Sequence, residues 1–301
     1  MNTKNLTRFP DFLIGGVAKS GTSSLYHYLK QHPSIFMASI RATNFYGLGE
    51  QPLIQYSGPV KKRKPKKATL EEFANLYKHV PSDKIIGEGS SFFNFTARAA
   101  QRIHYYNPES KLIFVLRHPS DRAFSQYLYA RKCGWEPCSS FKKALAEEPM
   151  RKKEGWFPFL LYKESSLYAE KLSVYYQLFG LDQIYVCTFD DFIHTTSQIM
   201  GDLYTFVGVD ANFKPEVSTN HNPSRLQPFA WTRSPFNDHS YKLLRRVPSY
   251  IKTHTLRIID NFCTQTPKIN NSIRSELTHY YHQDILFTQT LTGKDLSSWL
   301  L

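Results

Sequence analysis

The chain has 301 residues, 41% of them hydrophobic and 21% charged, which is ordinary for a globular protein and enough to bury a full core. Its formal net charge of +13 and pI of about 9.4 point to anionic partners: a nucleotide, a nucleic acid, an acidic glycan or a membrane surface. No run of about 18 apolar residues is present, so no transmembrane helix is expected, and the opening MNTKNLTRFP lacks the apolar core of a secretory leader. Cysteines stand at 133, 138, 187 and 263, with no C-x-x-C pair and no histidine at zinc-finger spacing. They read as reduced and structural, in a cytoplasmic protein. A Cys133–Cys138 bridge is the alternative for an oxidising compartment.

In chain order, Phe9 to Gly16 is a short apolar run ending in glycines, the mark of a buried strand. Ser23 to Gln31 follows as a helix with Leu25, Tyr28 and Leu29 on one face. The segment from Gln51 to Lys67 reads as irregular and ends in the basic run KKRKPKK. Glu71 to His79 is predicted helical, Lys84 to Gly87 a short strand, and Thr96 to Tyr106 a helix stopped before Pro108. LIFVL, Leu112 to Leu116, is a buried strand. Ser120 is the predicted N-cap of a helix from Asp121 to about Lys132. Then come a helix over Tyr168 to Leu178, a strand over Ile184 to Phe189, and a helix from Ile199 to Val207 ending at Gly208. Four prolines make Asn212 to Asp238 a long loop, and the last sixty residues look helical. Strands separated by helices predict an α/β fold with a central parallel sheet flanked by helices. No repeat or domain boundary is visible, so residues 1–301 are expected to form a single domain.

The first strand–loop–helix unit reads Gly16-Val17-Ala18-Lys19-Ser20-Gly21-Thr22-Ser23-Ser24. It has the makings of an anion cradle at a helix N-terminus. Hydroxyls come from Ser20, Thr22, Ser23 and Ser24, close backbone approach from Gly21, and a cation from Lys19. It fails the Walker A pattern, because the lysine precedes the second glycine. A second anion site is predicted where LIFVL ends: Arg117 stands at the strand end, and Ser125 lies eight residues on, inside the next helix. Two anion sites on one sheet suit a nucleoside with phosphates at both ends.

In these two motifs the chain resembles the PAPS-dependent sulfotransferases, which use 3′-phosphoadenosine-5′-phosphosulfate. It looks most like bacterial members related to heparan sulfate sulfotransferase domains. The resemblance implies a P-loop-like sulfotransferase fold. It also implies that Lys19, Gly21, Thr22 and Ser23 hold the 5′-phosphosulfate while Arg117 and Ser125 hold the 3′-phosphate. PAP would be the product, and no metal would be required. QHP after the first helix and the ending IRSELTHYYHQDILFTQTLTGKDLSSWL are also family-like. The family's habit of closing a basic loop residue over the 3′-phosphate makes Arg225, in NHNPSRLQP, a further candidate.

The acceptor side departs from the family. Where relatives carry K-E-x-x-F-F, this chain reads Arg41-Ala42-Thr43-Asn44-Phe45-Tyr46, so the expected glutamate base is an alanine. Where relatives carry approximately G-E-K-[TS]-P, it reads Gly87-Glu88-Gly89-Ser90-Ser91. Glu88 is therefore the first candidate for the base, with a structural tie near the site as the plainer reading. A third possibility is an acceptor acidic or nucleophilic enough to need no strong base. Arg122 reads as a surface or helix-packing residue, and an ion pair of Arg117 with Asp121 or Glu109 is the plain alternative to its phosphate role. The run at 61–67 is a solvated segment or an electrostatic guide.

The expected function is sulfuryl transfer to a small natural product, through a hydroxyl or an amine or carbamoyl nitrogen. A saxitoxin-type alkaloid is one specific candidate. The acceptor should lie beside 41–46, 88–93 and the loop 133–160. No nucleic-acid or membrane partner is expected. An ATP-using kinase-like enzyme is the alternative, disfavoured by the lysine position and the Arg117–Ser125 pair. A basic, non-enzymatic anion-binding protein is the third reading, supported by charge alone.

Overall fold

The computed structural model describes residues 8–38, 43–49, 55–60, 68–217 and 267–301. Arg225, Arg41, Ala42, Cys263, the basic run 61–67 and most of the predicted loop 212–238 lie outside the described residues. The five strands β1 (Phe12–Gly16), β2 (Ile35–Met37), β3 (Ile85–Glu88), β4 (Lys111–Leu116) and β5 (Ile184–Thr188) form one sheet in the order β2-β3-β1-β4-β5. Every neighbouring pair is parallel.

Alternation along the strands divides the apolar side chains between two faces. On one face Phe12 and Ile14 of β1 and Ile113 and Val115 of β4 pack with Leu25 and Leu29 of α1 (Thr22–Leu29) and Met200 and Leu203 of α11 (Thr196–Val207). On the other, Leu13, Leu112, Phe114 and Leu116 meet the buried sides of α4 (Ala97–Tyr106), α5 (Pro119–Lys132), α9 (Ala169–Phe179) and α12 (Asn271–Thr292). Helices cover both faces, as a parallel sheet demands. Gly15 shows how tight this is: a Cβ there would lie 2.5 Å from the Phe114 ring.

The chain leaves β1 toward β2 and leaves β4 toward β5, on opposite sides. The crevice beyond the carboxyl ends of β1 and β4 is thus the switch point where open parallel sheets take their ligands.

Two expectations need correction. Ser120 is not the N-cap of α5: Pro119 takes the first helical position and His118 caps it, its Nδ1 accepting from the Ser120 N–H at 3.2 Å. Pro at the first position is pre-set for the helix and lacks an N–H that would go unpaired there. The segment 133–160 is not a plain loop. It contains α6 (Phe141–Ala146), α7 (Glu148–Lys153) and a 3₁₀ turn at Pro158–Leu160. Beyond α7 lies the one-turn α8 (Tyr162–Ser165).

A buried ionic knot holds that segment. Arg151 grips Glu136 with both terminal nitrogens, at 2.6 and 2.8 Å, and reaches Glu147 at 3.1 Å. Glu136 also accepts from the Tyr162 hydroxyl at 2.5 Å and the Cys138 N–H at 2.7 Å. Cys133 and Cys138 are not bridged, and Cys138 and Cys187 are free thiols. Both charges of the Arg151–Glu136 pair are fully buried, so removing one strands the other. Arg151→Met should cost about 3–5 kcal/mol, read as a lower urea midpoint.

Candidate active site

The loop after β1 is shaped by its backbone and braced by its neighbours. Gly21 (φ 82°) caps α1 in the left-handed region, where glycine carries no Cβ penalty. No side chain caps that helix end, so its N–H groups face the crevice as anion donors. Lys19 also sits in the left-handed region, at φ 76°, which for a lysine is strained. The Val17 N–H donates to the Val115 carbonyl of β4 at 3.1 Å. Two arginines complete the bracing: Arg117 Nη1 donates to the Lys19 carbonyl and Arg122 Nη1 to the Ala18 carbonyl, each at 3.2 Å.

The sequence candidates therefore converge. Lys19, Ser20, Gly21, Thr22, Ser23 and Ser24 lie at the end of β1 and the start of α1. Arg117 leaves β4 beside them, and Ser125 is buried in α5. Arg117 stacks over Phe189 at 4.6 Å, and its carbonyl accepts from the Tyr168 hydroxyl at 2.7 Å. Neither Lys19 nor Arg117 forms an ion pair among the described residues. Asp121, the alternative partner for Arg117, pairs instead with Arg274 at 3.6 Å. Burial first, then the nearby Arg117 charge, pulls the Lys19 ammonium down to about 8. Burial lowers Arg117 as well.

Arg122 is not a surface residue. It is 1% exposed, its Nε donates to Ser166 Oγ at 2.9 Å, and its Nη2 has no hydrogen-bond partner among the described residues. Ser20 Oγ is buried and unpartnered in the same way. Sequence reasoning underrated Arg122, although it lies three residues before Ser125 and so shares its side of a helix. It missed Tyr129, whose ring lies 4.4 Å from Lys19 Nζ.

Glu88 ends β3 and is 1% exposed. Its carboxylate accepts from Thr43 Oγ1 at 3.0 Å, the Ser90 N–H at 3.0 Å, Asn94 Nδ2 at 2.8 Å and the Ser90 hydroxyl. Burial raises the carboxyl, and the bonds from Ser90, Thr43 and Asn94 pull it back. These bonds order the turn that brings Ser91 Oγ within 3.1 Å of Thr22 Oγ1. Phe45 and Tyr46 are core residues and Phe95 packs on Phe114, whereas Phe92 and Phe93 are only half-buried. Among the described residues no group of histidine, cysteine or acidic side chains could hold a metal, and no helix is long and apolar enough to cross a membrane.

A parallel sheet with a cation-lined crevice at its switch point is the arrangement in which α/β proteins take anionic ligands. Comparison with known proteins narrows the class. The sulfotransferase domain family matches residues 9–230, and the chain belongs to that family. A crystal structure of a sulfotransferase from Alicyclobacillus acidocaldarius superposes with a TM-score of 0.74 at 26% identity, covering 97% of this chain and 99% of the other. Heparan sulfate glucosamine 3-O-sulfotransferase 6 of Mus musculus is 30% identical over 120 residues, 40% of this chain and 30% of that protein. Bifunctional heparan sulfate N-deacetylase/N-sulfotransferase 3 of Mus musculus is 24% identical over 216 residues, 70% of this chain and 23% of its own length. The chain thus aligns with less than a third of either curated relative.

The strain at Lys19 can be measured. Lys19→Gly removes about 1–2 kcal/mol of left-handed backbone cost and the repulsion from Arg117, against roughly 0.5–1 kcal/mol of added chain entropy. The ligand-free variant should melt at a higher temperature than the parent in calorimetry.

Proposed function

We propose that this protein transfers a sulfuryl group from PAPS to a small-molecule acceptor and releases PAP. The observation that carries this reading is the half-buried pair of cations, Lys19 and Arg117, close to one another at the β1/β4 crevice and in no ion pair among the described residues. The unpartnered Ser20 Oγ and Arg122 Nη2 beside it are donors awaiting acceptors, and a phosphosulfate offers acceptor oxygens only. The residues present therefore fit the nucleotide.

Lys19, Ser20, Gly21, Thr22, Ser23 and Ser24 would hold the 5′-phosphosulfate, and Arg117 with Ser125 the 3′-phosphate. Arg225 remains a candidate to close over the same phosphate. Bound PAPS supplies an activated sulfuryl group. Lys19, kept protonated, stabilises the charge that grows on the leaving phosphate, and the preorganised loop N–H groups assist. The positive charge this requires comes from side chains, without a metal ion. We read Glu88 as a positioning residue: four donors enclose its carboxylate, and it sets Ser91 against Thr22. A cationic acceptor of the saxitoxin type would bring like charge toward Lys19 and Arg117, so a neutral hydroxyl is the acceptor the site favours.

Thermal shift tests the donor. PAP should raise Tm strongly and ATP with magnesium weakly; equal shifts, or none with PAP, would overturn the reading. The pH dependence follows from Lys19. Its free-state value of about 8 rises when a phosphate binds, so above that pH binding must take up a proton. PAP affinity should be flat well below pH 8 and weaken above it, and Lys19→Met should bind weakly with that dependence gone.

Glu88→Gln separates a tie from a base. A tie predicts a loss of about 1–3 kcal/mol of stability, because the amide mismatches donors that need acceptors. It also predicts an unshifted pH–rate profile. Retained stability with a collapsed rate would make Glu88 the base.

A further inference from the structure

We propose that His118 and Trp299 are positioning residues for Arg117: together they fix the peptide that carries its guanidinium, and so set its grip on the ribose 3′-phosphate. This rests on the reading of Arg117 as the cation for that phosphate.

Arg117 is in no ion pair among the described residues. Its aim therefore depends on neutral contacts and on the backbone beneath it. That backbone is clamped on both sides of one peptide. The Arg117 carbonyl accepts from the Tyr168 hydroxyl at 2.7 Å. His118, the next residue, is bonded at both ring nitrogens. Its Nδ1 accepts from the Ser120 N–H at 3.2 Å, and its Nε2 meets the Trp299 carbonyl at 3.1 Å. A backbone N–H only donates and a carbonyl only accepts, so these partners assign a neutral ring with its proton on Nε2. Burial, then the Arg274 charge, favours that form by pulling His118 down to about 4.

Trp299 joins the two clamps. It lies in the 3₁₀ turn Ser297–Leu300 and is 4% exposed. Its ring lies 6.0 Å from that of His118 and 6.4 Å from that of Tyr168, centroid to centroid. Tyr168 is fully buried, and its N–H donates to Asp284 of α12 at 2.8 Å. The turn is itself fastened. The N–H of buried Leu296 donates to Gln289 Oε1 at 2.8 Å. Arg274 reaches the Leu301 carbonyl at 3.3 Å and pairs with Asp121 of α5 at 3.6 Å.

The consequence falls on the ligand. A phosphate clamp is strongest when its donors arrive already aligned. A long side chain magnifies a small rotation of its peptide. Loosening either clamp therefore lets the guanidinium wander, and binding must then order it again.

The test is calorimetric titration of the full chain with PAP and with adenosine 5′-monophosphate (AMP), which lacks the 3′-phosphate. The ratio of the two dissociation constants isolates that phosphate. His118→Asn keeps an acceptor for the Ser120 N–H and gives up the bond to Trp299. Trp299→Leu removes the ring. Each should weaken PAP binding about tenfold, the scale of one hydrogen bond to a charged group, and leave AMP binding unchanged. Trp299→Phe should restore most of the ratio. In an Arg117→Met background, neither substitution should weaken PAP further. An unchanged ratio, whether or not both ligands weaken, overturns the proposal, as do losses that add to that of Arg117→Met. Should Trp299→Leu not fold, His118→Asn decides alone. Arg117→Met with the parent's ratio sinks the phosphate reading beneath; a collapsed ratio there, with normal ratios in the other two variants, sinks this proposal alone.

Discussion

Two half-buried cations held close together, Lys19 and Arg117, are the constraint on which the rest of the structure turns. Taking either from solvent is costly, and placing them together adds repulsion. The fold tolerates the arrangement because contacts other than ion pairs hold each group, while Asp121 and Asp190 offset part of the cost at Arg117. Arg117 stacks on Phe189 and binds the Lys19 carbonyl. Lys19 lies over Tyr129 on a loop tied to β4. Neither cation has an ion-pair partner among the described residues; on the proposed reading a doubly phosphorylated nucleotide would bring the counter-charge, and instability in the free protein would become affinity in the bound one. On that reading, activity and resting stability would be set against each other at Lys19.

The sheet was legible where the strands are long and continuously apolar. LIFVL and IYVCT carry the pattern of strands buried on both faces, and the structure places them as β4 and β5. β2 was not legible. It has three residues, too few to show a period, and its place at the edge is set by pairing with β3. The cap of α5 was misread because serine has the stronger general preference at that position, whereas here the Pro119 ring fixes the entry and His118 supplies the acceptor. The two short helices after Cys138 were invisible for a different reason. What orders them is the contact of Arg151 with Glu136, fifteen residues away, which local pattern does not encode.

Within the site, the placement of Lys19 and Arg117 was readable from spacing, since strand ends and helix starts fix where they must fall. The acceptor half was readable only as a departure from pattern. The substitution at Ala42 told of a change but not of its meaning. Glu88 looked like a base in one dimension and is enclosed in three. Tyr129 and Trp135 carry no motif at all. Their rings meet beside Lys19 because a helix face and a folded segment come together there, a tertiary fact.

The knot around Arg151 has a broader consequence. It ties the stretch from Trp135 to Phe159 together through its own ions, apart from the ends of β1 and β4. Ring residues on that block can change without disturbing the loop after β1. On the reading that acceptors bind against this block, such a division would let lineages trade one customer for another without relearning the chemistry.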